Sequence, residues 1–124
     1  MKNVMVTGAS SGIGEAVCRY LSECDYRIIM VARNEERMKD VSRIMKLQPI
    51  IIPYDLQDLD NIEYIFKVID GNGLKLDGMV HAAGVNRDIP VKLNDIAMMK
   101  EVTTIHYYAF VELGKYFCKK KYSS

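Results

Sequence analysis

The chain has 124 residues, of which 49% are apolar and 27% charged, a globular composition that excludes intrinsic disorder and fits one small domain over residues 1–124. Seventeen basic residues against sixteen acidic ones leave a net charge of +1, so overall charge points to neither nucleic acid nor an anionic membrane. No apolar run approaches the ~18 residues of a membrane-spanning helix, and the apolar stretch at the N-terminus ends at Gly8, too early for a secretion signal.

Four short runs are apolar at every position but His81: Val4–Val6, Ile28–Ala32, Ile50–Tyr54 and Met79–Ala83. Strands of a parallel sheet, buried on both faces, require this pattern. Between them the period becomes helical. Ile13, Ala16, Val17, Tyr20 and Leu21 share one stripe, and Met38, Val41, Ile44 and Met45 another, which Asn34 caps while Glu35 and Glu36 face its positive end. Ile62, Ile65, Phe66 and Ile69 form a third stripe, closed near Gly71 and Gly73. A fourth helix starts at Asn94-Asp95 and is expected to reach about Lys120. The order β-α-β-α-β-α-β-α, wound with right-handed crossovers, predicts a Rossmann-like, doubly wound parallel α/β sheet. The fourth helix is apolar nearly all round, which predicts that it buries more than one face. A helix pair between two copies through residues 95–120 is the expected use of the second face.

Cys18, Cys24 and Cys118 are odd in number and form no C-x-x-C, so neither a metal site nor a disulfide framework is expected. Reduced, mostly buried thiols in a cytoplasmic protein are the simplest reading.

The first strand runs directly into Thr7-Gly8-Ala9-Ser10-Ser11-Gly12-Ile13-Gly14. In this position Gly8 permits a tight turn, Gly12 leaves backbone amides open to an anion, and Gly14 lets the following helix pack closely. The free amides and positive end of that helix make a pyrophosphate site. No Lys stands at the P-loop position, which excludes an ATPase of that type. The second strand ends at Arg33, where an acidic residue would bind the ribose 2′-hydroxyl of NAD. Arg33 instead offers charge and a fork of donors to a 2′-phosphate, so NADP is favoured over NAD, with Arg37 as a second possible charge. The alternative for Arg33 is a solvated side chain paired with Glu35 or Glu36.

Thr7-Gly8-x-x-x-Gly12-Ile13-Gly14, Ala32-Arg33-Asn34, Asp55-Leu56 and His81-Ala82-Ala83-Gly84, in this order, resemble the motifs of the short-chain dehydrogenases/reductases from Lys2 to Ser124. The resemblance implies that Ser10, Ser11, Gly12, Ile13 and Gly14 line the phosphates and Arg33 the 2′-phosphate. It implies that Asp55 accepts from the adenine amino group and Leu56 packs on the base. Ala82, Ala83 and Gly84 would then lie against the ribose and nicotinamide.

Three departures accompany it. His81 and Ala82 stand where the family usually has two Asn residues. His106 stands at the position of the family's catalytic Asn, which holds a relay water, and is the one candidate catalytic residue here; a partly buried helix His is the plainer alternative. The family's Ser and Tyr-x-x-x-Lys, which follow a fifth strand, have no convincing counterpart. Tyr116-Phe117-Cys118-Lys119-Lys120 matches only formally, near the end of the wrong helix, and Tyr122-Ser123-Ser124 reads as a loop leading toward a missing strand. The expected function is thus the cofactor-binding half of an NADP-dependent carbonyl or alcohol oxidoreductase, similar to 3-oxoacyl-acyl-carrier-protein reductases, lacking the later strands. A non-catalytic nucleotide-binding or dimerisation module of the same fold is the alternative. A methyltransferase is a more distant one, because its donor has no 2′-phosphate for Arg33 to meet.

Overall fold

The computed structural model describes residues 1–84 and 89–124. Four parallel strands, β1 (Asn3–Thr7), β2 (Arg27–Ala32), β3 (Ile50–Pro53) and β4 (Gly78–His81), form one sheet in the order β3-β2-β1-β4. The chain starts in the centre of the sheet, winds outward through β2 to β3, then crosses β1 to lay β4 on its other side. That reversal defines a doubly wound α/β fold, as the apolar runs predict.

Side chains on a strand alternate between faces, and both faces of this sheet are covered. Val4, Val6, Ile28 and Met30 point into one core, with Cys18 of helix α1 (Gly12–Glu23) and Met38 and Val41 of α2 (Glu35–Ser42). Met5, Ile29, Val31 and Ile52 point into the other. There they meet Ile65, Phe66 and Ile69 of α3 (Glu63–Gly71) and Leu113 of α5 (Ala109–Phe117).

The helical stripes are partly corrected. On α1 the fully buried residues are Gly14, Cys18 and Ser22, Val17 and Leu21 of the expected stripe pack partly buried against the same core, and Ile13 and Tyr20 are 76% and 69% exposed. Hydrophobicity misleads here because the close approach of α1 to β1 selects small residues for its inner face. Asn34 does cap α2, its Oδ1 accepting from the Arg37 amide at 3.0 Å, but α2 stops at Ser42 and leaves Ile44 exposed. The third stripe is buried throughout.

The fourth helical segment is not one continuous α-helix. Asp95 caps α4 (Ile96–Thr103), accepting from the Met98 amide at 2.8 Å. A π turn over Thr104–Tyr108 follows, and then α5. Ile105, Ala109 and Leu113 are buried, whereas Tyr107, Tyr108, Phe110 and Val111 are exposed, so this chain covers one face of the segment rather than two.

Beyond α5, Tyr122 is buried beside Phe66 with ring centroids 5.4 Å apart, and Ser123 forms an isolated parallel bridge with Leu76, just before β4. Cys18 is buried, but Cys24 and Cys118 are exposed, against the expectation of mostly buried thiols. Among the described residues no helix is long and apolar enough to cross a membrane, and no group of three His, Cys, Asp or Glu is placed to hold a metal ion.

Candidate functional site: a groove at the strand ends

In an open α/β sheet, ligands bind beyond the carboxyl ends of the strands, where the winding reverses. A groove of about 180 Å³ lies there. Gly8, Ser10 and Ser11 form its wall after β1, and Val31 to Asn34 its wall at the end of β2. Tyr54, Asp55 and Leu56 follow β3, Ala83 and Gly84 follow β4, and Ile105 reaches in from the π turn.

The glycine turn is held by backbone contacts. Gly8 has φ +66°, donates its amide to the Val31 carbonyl at 2.9 Å, and lies so close to β4 that a Cβ would stand 2.7 Å from the Ala83 nitrogen. A Cβ on Gly14 would collide with the Gly8 carbonyl oxygen, so the first turn of α1 sits directly on the turn before it. Gly12 is different: its φ is +57° and the space around its missing Cβ is open. Ser11, at the N-cap of α1, makes no side-chain capping bond. The helix therefore offers first-turn amides and its positive end without a side-chain acceptor placed on them.

Arg33 is exposed on the groove's lip. Glu35 and Glu36, its possible partners, lie within 3.9 Å and 3.7 Å of Lys39. Arg37 does not share its place: its Nε donates to the Ser10 carbonyl at 3.0 Å and its guanidinium lies 2.7 Å from Glu15. A second charge at the lip is thus not formed, because Arg37 is spent tying α2 to the glycine turn and α1.

Asp55 Oδ1 accepts from the Gln57 amide at 2.9 Å, which fixes the loop after β3 and leaves the carboxylate exposed. Leu56 is 5% exposed and belongs to the core as well as to the groove wall. Burial, then the Asp58 and Asp55 carboxylates, push the Tyr54 phenol up to about 12, and its hydroxyl donates to the Asp58 carbonyl. It is uncharged at neutral pH.

Of the twelve residues expected to bind a cofactor, Gly8, Ser10, Ser11, Arg33, Asp55, Leu56, Ala83 and Gly84 line the groove. Gly12, Ile13, Gly14 and Ala82 do not line it. His106 lies over Gly84, where a Cβ would come within 2.7 Å of its Nε2. Sequence reasoning missed Thr7, whose wholly buried hydroxyl contacts both the His81 ring and the Ala83 amide. The signal was its place as the last residue of the central strand. The formal Tyr-x-x-x-Lys is not brought to the groove: Tyr116 packs on Phe66 and lines a separate cavity beside Leu59 and Asp60.

The short chain dehydrogenase family model matches residues 2–121. An oxidoreductase of Staphylococcus epidermidis is 34% identical over 83 residues, covering 67% of this chain and 36% of its own length. The 3-oxoacyl-[acyl-carrier-protein] reductase of Bos taurus is 31% identical over 100 residues, 80% of this chain and 42% of the relative. A solved structure of 4-hydroxyisoleucine dehydrogenase complexed with NADH superposes with a TM-score of 0.82 at 26% identity, covering 97% of this chain and 49% of that one. The chain therefore spans well under half the length of these two sequence relatives. Because the family model matches nearly the whole of it, the chain belongs to the short-chain dehydrogenases.

Proposed function

We propose that this chain is the cofactor-binding part of a cytoplasmic NADP-dependent oxidoreductase acting on a carbonyl or alcohol. The observation that carries the reading is the arrangement of the groove: an uncapped helix end over a glycine turn at one side, and Arg33 without either neighbouring glutamate at its lip. The residues fit a dinucleotide. The first-turn amides of α1, with Ser10 and Ser11, would hold the pyrophosphate, and Arg33 the 2′-phosphate. Asp55 would accept from the adenine amino group, with Leu56 and Tyr54 forming the apolar wall beside it. Ala82, Ala83 and Gly84 would leave room for the ribose and nicotinamide, with His106 at that end. The bound nicotinamide supplies or accepts the hydride. This chain's residues bind and orient it. They do not themselves assemble a Tyr-x-x-x-Lys acid beside it, since Tyr116 faces Phe66. The likeness to the Bos taurus enzyme makes 3-oxoacyl thioesters the substrate class to test first.

Fluorescence titration with NADPH and NADH tests the reading. NADPH is expected to bind more tightly, and Arg33→Ala to weaken NADPH by about 1.5–3 kcal/mol while leaving NADH nearly unchanged. Absence of binding, or a preference for NADH, overturns it. Carbonyl reduction by the 124-residue chain itself would overturn the assignment of these residues to binding alone.

The exposed face formed by Tyr107, Tyr108 and Val111 supports a second proposal, that two copies pair through residues 95–120. Light scattering at micromolar concentration is expected to show a dimer, which Val111→Lys disperses; a monomeric parent chain overturns it.

A further inference from the structure

One titratable side chain is enclosed between the glycine turn and the π turn. His81 ends β4, and both of its ring nitrogens are engaged. Nε2 lies 2.8 Å from the Ile105 carbonyl oxygen. A carbonyl only accepts, so Nε2 carries a hydrogen. Nδ1 lies 2.8 Å from Thr7 Oγ1. On a neutral ring Nδ1 accepts, and the Thr7 hydroxyl donates to it. The Thr7 oxygen in turn accepts from the Ala83 amide at 3.1 Å. One directed chain of bonds therefore runs from Ala83, which lines the groove, through Thr7 to His81, and His81 bonds onward to Ile105, which also lines it.

We infer that neutral His81 is a positioning residue for the cofactor groove, a clasp that joins the glycine turn to the π turn and opens when its ring gains a proton. The inference rests on the nucleotide-binding reading above. A proton added at Nδ1 places an N–H against Thr7 Oγ1. That oxygen can accept from both His81 and Ala83, but its own hydrogen then has no acceptor among the described residues, in a residue that is wholly buried. The new charge also stands in a half-buried site beside His106. The titratable group bearing on it, among the described residues, is that histidine on the π turn. Among the described residues the other groups contacting its ring are uncharged: the Thr7 hydroxyl of β1, the Ile105 carbonyl, and the Phe110 ring of α5, whose centroid is 5.7 Å away. Burial foremost, and His106 as well, hold the His81 imidazolium below its ordinary 6.5, which keeps the clasp closed at neutral pH.

The chain has two histidines, so nitrogen NMR can follow each ring. The expected result is a neutral His81 with hydrogen on Nε2 at neutral pH, and an Ala83 amide resonance that moves with the His81 midpoint. NADH affinity should fall with that same midpoint, by up to about tenfold per pH unit below it, the limit for one linked proton. NADH is the probe because the 2′-phosphate of NADPH itself titrates near pH 6. His81→Asn should remove this dependence, whereas His106→Asn should keep it. A His81 that is charged or carries its hydrogen on Nδ1 at neutral pH, or an affinity indifferent to its titration, overturns the inference. If His81→Asn does not fold, the wild-type NMR titration decides alone. Binding without a pH link sinks the clasp but not the cofactor reading. A clasp that titrates as stated in a chain that binds neither cofactor sinks the cofactor reading and, with it, the positioning role of His81.

Discussion

The guanidinium of Arg37, on α2, lies 2.7 Å from the carboxylate of Glu15, on α1, and the same side chain donates to the Ser10 carbonyl of the glycine turn. Two helices and the glycine turn are thus joined by one arginine. Glu15 is further held by Arg19 at 3.3 Å. Arg37 is half exposed, so its contribution to stability is modest, about 0.5–1 kcal/mol. Its effect should appear in the loop instead. Arg37→Ala is expected to weaken NADPH and NADH to a similar extent, in contrast to Arg33→Ala, and a selective loss of NADPH would place its charge at the 2′-phosphate after all.

Gly14 and Gly12 should respond differently to alanine. At Gly14 the added methyl meets the Gly8 carbonyl, a backbone atom that cannot turn aside. Gly14→Ala should destabilise the fold by more than about 2 kcal/mol in urea unfolding. At Gly12 the space is open and only the left-handed backbone is strained, costing about 1–2 kcal/mol. Gly12→Ala should therefore fold and chiefly weaken cofactor binding. Equal unfolding midpoints for the two variants would refute the distinction.

Thiol chemistry reads the fold directly. Cys18 has no exposed surface, and burial first, then Glu15, push its thiol up to about 12. Cys24 and Cys118 are exposed. In the native protein a thiol reagent is expected to label Cys24 and Cys118 quickly, and Cys18 only at the rate of unfolding. Three thiols labelled at one rate would contradict the packing of α1 on β1.

Acidification should lower stability in two ranges. The His81 imidazolium is held below 6.5 in the fold, so the unfolded chain takes up the proton first. Its contribution is complete above about pH 6.5 and is lost as pH falls through the lower, folded value. Asp77 is held below 3.8 chiefly by the Ser124 hydroxyl and then by the Asn3 amide. Its contribution is present above 3.8 and is lost as pH falls through its folded value. Urea midpoints measured across pH should show both steps, with Asp77→Asn removing only the lower one. A stability flat between pH 7 and pH 5 (about two units spanning the ordinary histidine range) would contradict the burial of His81.

Much of the fold was legible because parallel strands advertise themselves. Val4–Val6 and Ile28–Ala32 are apolar at every position, and the structure divides each between two cores by simple alternation. The α1 stripe was less legible. Its fully buried residues are Gly14, Cys18 and Ser22, chosen for size, and of the apolar stripe Val17 and Leu21 reach the core while Ile13 and Tyr20 lie outside. The break in the fourth helix left no mark in composition, because a π turn differs from an α-turn by one residue of hydrogen-bond register and not by residue type.

The sequence by itself determined the elements, their order and the glycine turn, since each rests on local rules: side-chain period, helix capping and the space a missing Cβ leaves. Tertiary structure alone decided the pairings between distant residues. It sent Arg37 to Glu15 and left Arg33 at the lip, and it set Thr7 beside His81 and His81 beside Ile105. Those partners are 22 to 74 residues apart, and only the winding of the sheet, which brings the ends of β1 and β4 and the π turn to one edge, makes them neighbours.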